Sequence, residues 1–306
     1  MHALRCLFGL TMLLAVPALA AGADLADGRT GKIQFESSTP TEELAVLTGR
    51  LGPRVTVEGI LTLPTGSPPP YSVVVIAHGS GGVRQDREPR WAEELAKAGI
   101  ASFIVDSYGP RKVGGTDTGD INLSTMANIA DVFAALRLLS THPLLDKGKI
   151  AIMGYSRGGH VALWTAFEPV RRAFLGESRL SFAAHVLIYP ACNLQRVSAH
   201  MSIAPMLHLH GESDDLTPLG DCREYLDRLR ASRGGYELER GRHATQECLL
   251  RRSFPRDGGA HGLPWSSGTK PPRQCRRLQR DSRRGACESP RDPVACRERG
   301  PERGPS

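Results

Sequence analysis

No apolar run in the chain is long enough to cross a bilayer. The stretch that comes nearest, Leu7 to Val16, falls well short of the roughly 20 residues a spanning helix needs. With 40% hydrophobic and 23% charged residues, the chain is also unlike a disordered acidic polymer, so it holds enough apolar material for one good-sized core. Basic residues are not in excess where folding is expected: residues 1–239 hold 23 Lys+Arg against 25 Asp+Glu, while residues 240–306 hold 16 against 7. The net charge of +7 therefore belongs to the tail, and a basic nucleic-acid-binding body is excluded as the first reading. Short paired Cys spacings of the CxxC type are absent among Cys248, Cys275, Cys287 and Cys296, which argues against a zinc site there. The Gly-rich segment His78-Gly79-Ser80-Gly81-Gly82 lacks both the G-x-G-x-x-G order and a Lys-Ser/Thr ending, so a phosphate cradle ranks low.

The two ends of the chain read differently from its body. Residues 1–20 carry Arg5, an apolar stretch and Ala18-Leu19-Ala20, which is the pattern of an export signal, and the mature protein is expected to be periplasmic or secreted. Export permits disulfides. Of the cysteines in the foldable part, Cys192 and Cys222 both follow expected strands and are expected to pair, the alternative being two free buried thiols. Residues 240–306 contain 15 hydrophobic residues in 67, with Arg pairs, Pro and Gly in no regular period, and such a segment cannot offset its ordering entropy. The composition changes abruptly after Glu239, as it would where translation continues in a shifted frame; a basic tail for an anionic surface is the rival reading.

Between these ends, strand and helix patterns alternate. Strands are expected at Val55–Leu63, Tyr71–Ala77, Ala101–Asp106, Ile150–Met153, Ala184–Tyr189, Met206–His210 and Tyr236–Glu239, each bounded nearby by Gly, Pro or Asp. Helices are expected at Trp91–Ala98, Ser124–Ser140, Gly158–Glu168 and Asp221–Ser232. In the clearest of them, Ile129, Val132, Phe133, Leu136 and Leu139 fall on one stripe behind Ser124 as cap. The alternation predicts an α/β fold with a mostly parallel sheet covered on both faces, because each parallel crossover needs a connecting helix.

The sharpest chemical signal is Gly154-Tyr155-Ser156-Arg157-Gly158-Gly159, placed between an expected strand and an expected helix. A serine at so tight a turn needs small neighbours two residues away on each side, and the turn lifts its hydroxyl to the positive end of the helix. Upstream, the glycines around Ser80 let backbone N–H groups point into a site, so Ser80 N–H, or Gly79 N–H, together with Arg157 N–H are candidates for an oxyanion hole. Arg157 is expected to contribute its backbone rather than its charge. Downstream, Asp214 and Asp215 follow an expected strand, where a carboxylate must sit to orient a base. His208 and His210 share one face of that strand; an i, i+2 pair without a third ligand is weak evidence for metal, and they are read as satisfied core histidines. Tyr108 and Arg111 follow another strand end in the same rim of loops, where contact with substrate is one reading and an ordinary surface loop the preferred one.

The chain order Ser156, Asp214, then a later His is that of α/β-hydrolases. The segments His78–Gly82, Val105–Arg111, Gly154–Gly159 and Gly211–Pro218, in that order, resemble the dienelactone hydrolase family over about residues 55–239. The resemblance implies an α/β-hydrolase fold that cleaves esters or lactones with no metal or organic cofactor, with Ser156 as nucleophile, Asp214 as acid and Asp215 as its fallback. It also implies a His-bearing turn after the last strand, and here the chain departs from the pattern. His243 lies 29 residues beyond Asp214 and is the best base by position, whereas Gly259-Ala260-His261-Gly262 matches the local turn better but sits further on.

The reading that follows is an exported serine hydrolase of a small carboxylic ester or lactone, with Ser156, His243 and Asp214 as triad and Ser80 and Arg157 as oxyanion donors. Its partner is a small-molecule substrate, with no nucleic acid and no membrane span after signal removal. The alternative is a catalytically impaired α/β-hydrolase-like protein with an altered C-terminus, acting by binding only or without function.

Overall fold

The computed structural model describes residues 24–114, 123–192, 200–232 and 236–241. The expected signal at 1–20 and all of the tail beyond Gly241, with His243 and His261, lie outside the described residues. Eight strands form one sheet: β1 (Gly31–Ser38), β2 (Arg54–Thr62), β3 (Tyr71–Ala77), β4 (Ala101–Asp106), β5 (Leu145–Tyr155), β6 (His185–Ile188), β7 (Met206–Gly211) and β8 (Tyr236–Gly241). Their spatial order is β1-β2-β4-β3-β5-β6-β7-β8. The first two strands pair antiparallel, β2 also meets β4 antiparallel, and every later pairing is parallel. Among the described residues six helices accompany them: α1 (Glu43–Leu47), α2 (Glu88–Lys97), α3 (Thr125–Leu139), α4 (Arg157–Trp164), α5 (Glu168–Leu175) and α6 (Leu219–Ser232). This is the α/β-hydrolase architecture that the alternation and the resemblance predict.

The central strands read as nearly continuous apolar runs because both faces are covered, and the two-residue period divides their side chains between two cores. In β3, Val73, Val75 and Ala77 enter the larger cluster with α3 and α4, while Ile76 enters a second cluster with Ala92 of α2. In β4, Phe103 and Val105 likewise face the larger cluster and Ile104 the other. The expected stripe of α3 is fully buried, and the Ser124 hydroxyl accepts the Ala127 N–H at 3.3 Å as cap.

The expected strands are present; Tyr71–Ala77 and Ala101–Asp106 keep their ends and the other five have shifted ends. Three elements are not expected from the sequence: β1 has only Ile33 and Phe35 facing inward, α1 spans five residues, and α5 begins at Glu168, where the expected Gly158–Glu168 helix ends. Strand β8 corrects one boundary, since it continues through Arg240 and Gly241, two residues into the segment that composition alone gives to the tail.

Candidate active site

The parallel register fixes which loops meet. Ala77 of β3 pairs with Gly154 of β5, so the segments that follow both strands emerge side by side at the same sheet edge. Tyr155 pairs with Ile188 of β6, and Ile188 with Leu209 of β7, which brings the loop after β7 to that edge as well.

Ser156 is the turn residue between β5 and α4, with φ +50° and ψ −113°. A side chain rarely adopts this backbone, at a cost of about 1–3 kcal/mol, so the surroundings must impose it. They do so by close backbone approach. A Cβ on Gly154 would overlap the Gly158 carbonyl, and one on Gly158 would overlap the carbonyls of Ala77 and His78. The Ser156 N–H donates to the Ile188 carbonyl at 2.9 Å, and its carbonyl accepts His160 N–H at 3.0 Å to start α4. Ser156 itself is half-buried, and Arg157 N–H is the first of the amides that helix geometry leaves without an intrahelical acceptor. The Arg157 guanidinium turns away to α3, where Nε donates to Asn128 Oδ1 at 3.0 Å and Nη2 to the Leu123 carbonyl.

The segment bearing Ser80 is tied down by His78. Its Nδ1–H donates to the Gly79 carbonyl at 2.8 Å, and its Nε2 accepts Ser107 N–H at 3.2 Å, so both ring nitrogens are engaged. Burial holds this imidazole below the ordinary histidine range, and the neutral ring acts as a strut between the ends of β3 and β4. Gly82 N–H closes the turn onto the Gly79 carbonyl at 3.1 Å, with a positive φ of 75° that suits glycine.

Beneath the elbow lies a polar cluster that the sequence did not announce. Glu88 is fully buried and accepts Arg84 N–H at 2.8 Å and Arg87 Nε and Nη2 at 2.8 and 2.6 Å. The Arg87 guanidinium lies 4.8 Å over the Tyr155 ring, and Tyr189 stands beside the same ring. Burial pushes the Tyr189 hydroxyl up to about 12. Adjacent Arg and Glu at a helix start look like surface charges in a sequence, and only the fold folds them inward.

Arg111 and Tyr108 overturn the surface-loop reading. Tyr108 is buried edge-on to His78 at 4.5 Å. Arg111 inserts between the end of β1 and α3: it donates to Asp131 at 2.7 and 2.8 Å, to the carbonyls of Ser107 and Ser38 at 2.8 and 3.0 Å, and to Thr39 Oγ1 at 3.2 Å. A carboxylate on a mostly apolar helix was the available signal, since Asp131 breaks the α3 pattern and a buried charge needs a partner.

On the other side, the Asp214 side chain is almost wholly buried and accepts Leu216 N–H at 3.1 Å, Thr217 N–H at 2.9 Å and Thr217 Oγ1–H at 3.0 Å. These three donors from its own turn fix the orientation of the carboxylate. Asp215 is exposed, so Asp214 is the acid that the loop builds in. His208 and His210 do share one face and are buried, with the two rings 3.0 Å apart through Nε2 and Nδ1. The reading of both as satisfied fails for one atom, because His208 Nδ1 has no partner among the described residues. His210 Nε2 is 3.8 Å from Asp214 Oδ2 and gives its proton instead to the Thr217 carbonyl at 2.5 Å.

Cys192, after β6, and Cys222, in α6, form the expected disulfide. The segment it anchors joins the two sides. Ile188 meets the Ser156 N–H, Gly159 packs near Pro190, the Ala191 carbonyl accepts His160 Nδ1–H at 2.8 Å, and Tyr189 N–H donates to the Leu209 carbonyl at 2.7 Å.

The family profile of the dienelactone hydrolases matches residues 57–240. A protein of Bradyrhizobium sp. described as "Probable 2-oxo-3-(5-oxofuran-2-ylidene)propanoate lactonase" is 26% identical over 181 residues, which cover 57% of this chain and 71% of that protein. Among solved structures, the propionate-bound esterase Est2 of Thermogutta terrifontis superposes with a TM-score of 0.52 at 19% identity, covering 65% of this chain and 88% of that one. A protein of Klebsiella pneumoniae subsp. pneumoniae MGH 78578, assigned as a dienelactone hydrolase, superposes with a TM-score of 0.52 at 16% identity, covering 82% and 96%. These structural likenesses speak for the fold, and the profile over most of the described body speaks for descent: the chain belongs to the dienelactone hydrolase family and is a hydrolase of carboxylic ester bonds.

Proposed function

We propose that the protein is an exported serine hydrolase that opens a small carboxylic ester or lactone through an acyl-enzyme. Ser156 Oγ gives its proton to His243 and attacks the acyl carbon; the carbonyl π pair becomes an oxyanion met by the N–H groups of Ser80 and Arg157. The imidazolium, oriented by Asp214, protonates the leaving alkoxide, and water releases the acyl group by the reverse sequence. The observation that carries this reading is the imposed backbone of Ser156, φ +50° at the start of α4, beside the glycine-lined end of β3.

The base is the step that needs most argument. Around the elbow, His78 and His160 each have both ring nitrogens engaged, the latter by the Ala191 carbonyl and by Trp164 Nε1–H at 2.5 Å. His210 is committed to the Thr217 carbonyl. These engagements favour a base from beyond β8, and Gly241 pairs with Gly211, three residues before Asp214. His243 stands two residues past that point in sequence. The lactonase description of the Bradyrhizobium protein favours a lactone among the esters, and the Cys192–Cys222 bridge suits an oxidising compartment outside the cytosol.

The test is labelling of the full chain by a fluorophosphonate and hydrolysis of p-nitrophenyl acetate. Ser156→Ala is expected to abolish labelling and cut kcat by about 10⁴-fold or more, His243→Ala by a similar factor, and His261→Ala to change little. Labelling that persists in Ser156→Ala refutes the nucleophile; activity that survives His243→Ala and dies in His261→Ala moves the base to the later turn.

A further inference from the structure

Cys192, Cys222 and His208 form a buried cluster apart from the elbow, with Sγ, Sγ and one ring nitrogen all within 4.8 Å of one another. With both imidazoles kept neutral by burial, the hydrogen bonds around it set the tautomer of His208. The Thr217 carbonyl can only accept, so His210 Nε2 carries a proton; His210 Nδ1 in the neutral ring then accepts, so His208 Nε2 carries its proton. His208 Nδ1 is left as a bare lone pair, buried and without a partner among the described residues. An apolar side chain could fill that place on β7 without an orphaned acceptor. The disulfide gives the lone pair nothing, since neither sulfur carries a proton.

We propose that the dithiol form of Cys192 and Cys222, with His208 Nδ1, is a binding site for a thiophilic divalent cation of the Zn²⁺ class. Opening the bridge by a two-electron dithiol or phosphine reductant takes up two electrons and two protons and gives two thiols. The cation then replaces the two thiol protons, so two thiolates, a neutral imidazole and a dication make a site with no net charge, as burial demands. Bonds of about 2.3 Å to sulfur and about 2.1 Å to nitrogen require the sulfurs to part once the bridge is open and the ring to close on them. The Pro190 carbonyl oxygen lies 3.4 Å from Cys222 Sγ and 3.8 Å from Cys192 Sγ and would be a candidate fourth ligand. The chain from His208 Nε2–H through His210 to the Thr217 carbonyl supplies the outer hydrogen bonds that orient a metal-bound imidazole. The disulfide and the metal are thus alternative fillings of one site. The proposal does not depend on the catalytic assignment.

Co²⁺ titration of the full chain tests it, with the cysteines outside the site removed as C6S/C248S/C275S/C287S/C296S to silence competing thiols. After reduction under argon, one equivalent of Co²⁺ is expected to bind with thiolate-to-cobalt charge-transfer absorption, and the oxidised protein is expected to show none. His208→Asn, its fold checked by far-UV circular dichroism, is expected to weaken binding by at least the roughly 10–100-fold that loss of an outer partner causes. Cys192→Ser with Cys222→Ser is expected to abolish the absorption. Equal binding by oxidised and reduced tail variant, binding by neither, or unchanged affinity in a folded His208→Asn each overturns the site. Because the oxidised and reduced forms share one sequence, a double Cys variant that fails to fold does not rescue the proposal from these outcomes.

Discussion

The nucleophile side of the site and the acid side are held by different physics. Around Ser156, backbones touch so closely that Gly154 and Gly158 have no room for a Cβ, and the flanking loops are pinned by two deeply buried ion pairs, Arg87–Glu88 and Arg111–Asp131. Around Asp214, among the described residues, the Arg–carboxylate pair is the half-exposed Arg223–Glu212, and fixation comes from a disulfide and from a short turn whose own amides donate to the carboxylate. The nucleophile side is therefore intolerant of small changes in shape or charge, whereas the acid side concentrates its vulnerability in one covalent link. Substitutions that separate these two modes follow, from the largest effect down.

Arg111→Met leaves Asp131 buried with only the Ser37 hydroxyl, 2.5 Å away, against its charge. Loss of one partner of a buried pair costs about 3–5 kcal/mol, to be read from urea unfolding, and a second change, Asp131→Leu, is expected to recover most of it. A cost under about 1 kcal/mol would place Arg111 among ordinary surface charges and remove the contrast. On the other side, Cys192→Ser with Cys222→Ser releases a constraint between residues 30 apart and is expected to cost about 2–4 kcal/mol. Ester hydrolysis should fall as well, because the freed segment carries the carbonyl that receives Ser156 N–H. Unchanged activity with lowered stability would show that the elbow holds its shape without the bridge.

A glycine pair sharpens the same comparison. Gly158→Ala forces a methyl into the Ala77 and His78 carbonyls and is expected to cost about 1–3 kcal/mol, with activity falling further than stability because Ser156 is displaced. Gly220→Ala, in α6 with nothing within 4 Å of a Cβ, is expected to leave activity intact and to stabilise by up to about 1 kcal/mol. Equal effects at the two positions would break the distinction.

What was legible in the sequence follows the range of the signal. Ser156 and its glycines, the strand before them and the helix after them are a local pattern, and the stripe of α3 is set by residues three and four apart. Arg111 was not legible, because its partners Ser38 and Asp131 are separated from it by a sheet pairing and a helix crossing that no local period encodes. Arg87 and Glu88 failed for the same reason: neighbouring opposite charges look solvated until the fold closes over them. Strand β1 was missed because an edge strand with one covered face needs few apolar residues. The disulfide was legible through position alone, as two cysteines after strands that become neighbours, yet the lone pair of His208 beside it depends on a proton order running back from the Thr217 carbonyl.

The smallest expected effect is at Glu168, where charge is held at the surface. Its carboxylate accepts Arg171 Nε and Nη2 at 2.7 and 2.8 Å and Arg172 Nε at 2.8 Å, and those hydrogen bonds, that with Arg171 foremost, lower it to about 2. Because the folded value lies below the unfolded one, the stabilisation is present in full above about pH 4.5 and is lost as pH falls through about 2. The side chain is about a third exposed and Arg172 more so, and water screens what geometry offers, so Glu168→Gln is expected to cost about 1 kcal/mol or less at pH 7. The stability gap between the two proteins should then narrow steadily below pH 4.5 and close near pH 2. A gap that stays constant on acidification would mean that packing of the Glu168 stem, and not its charge, steadies α5. In that case the ion pairs that matter in this molecule are those the fold has taken out of water.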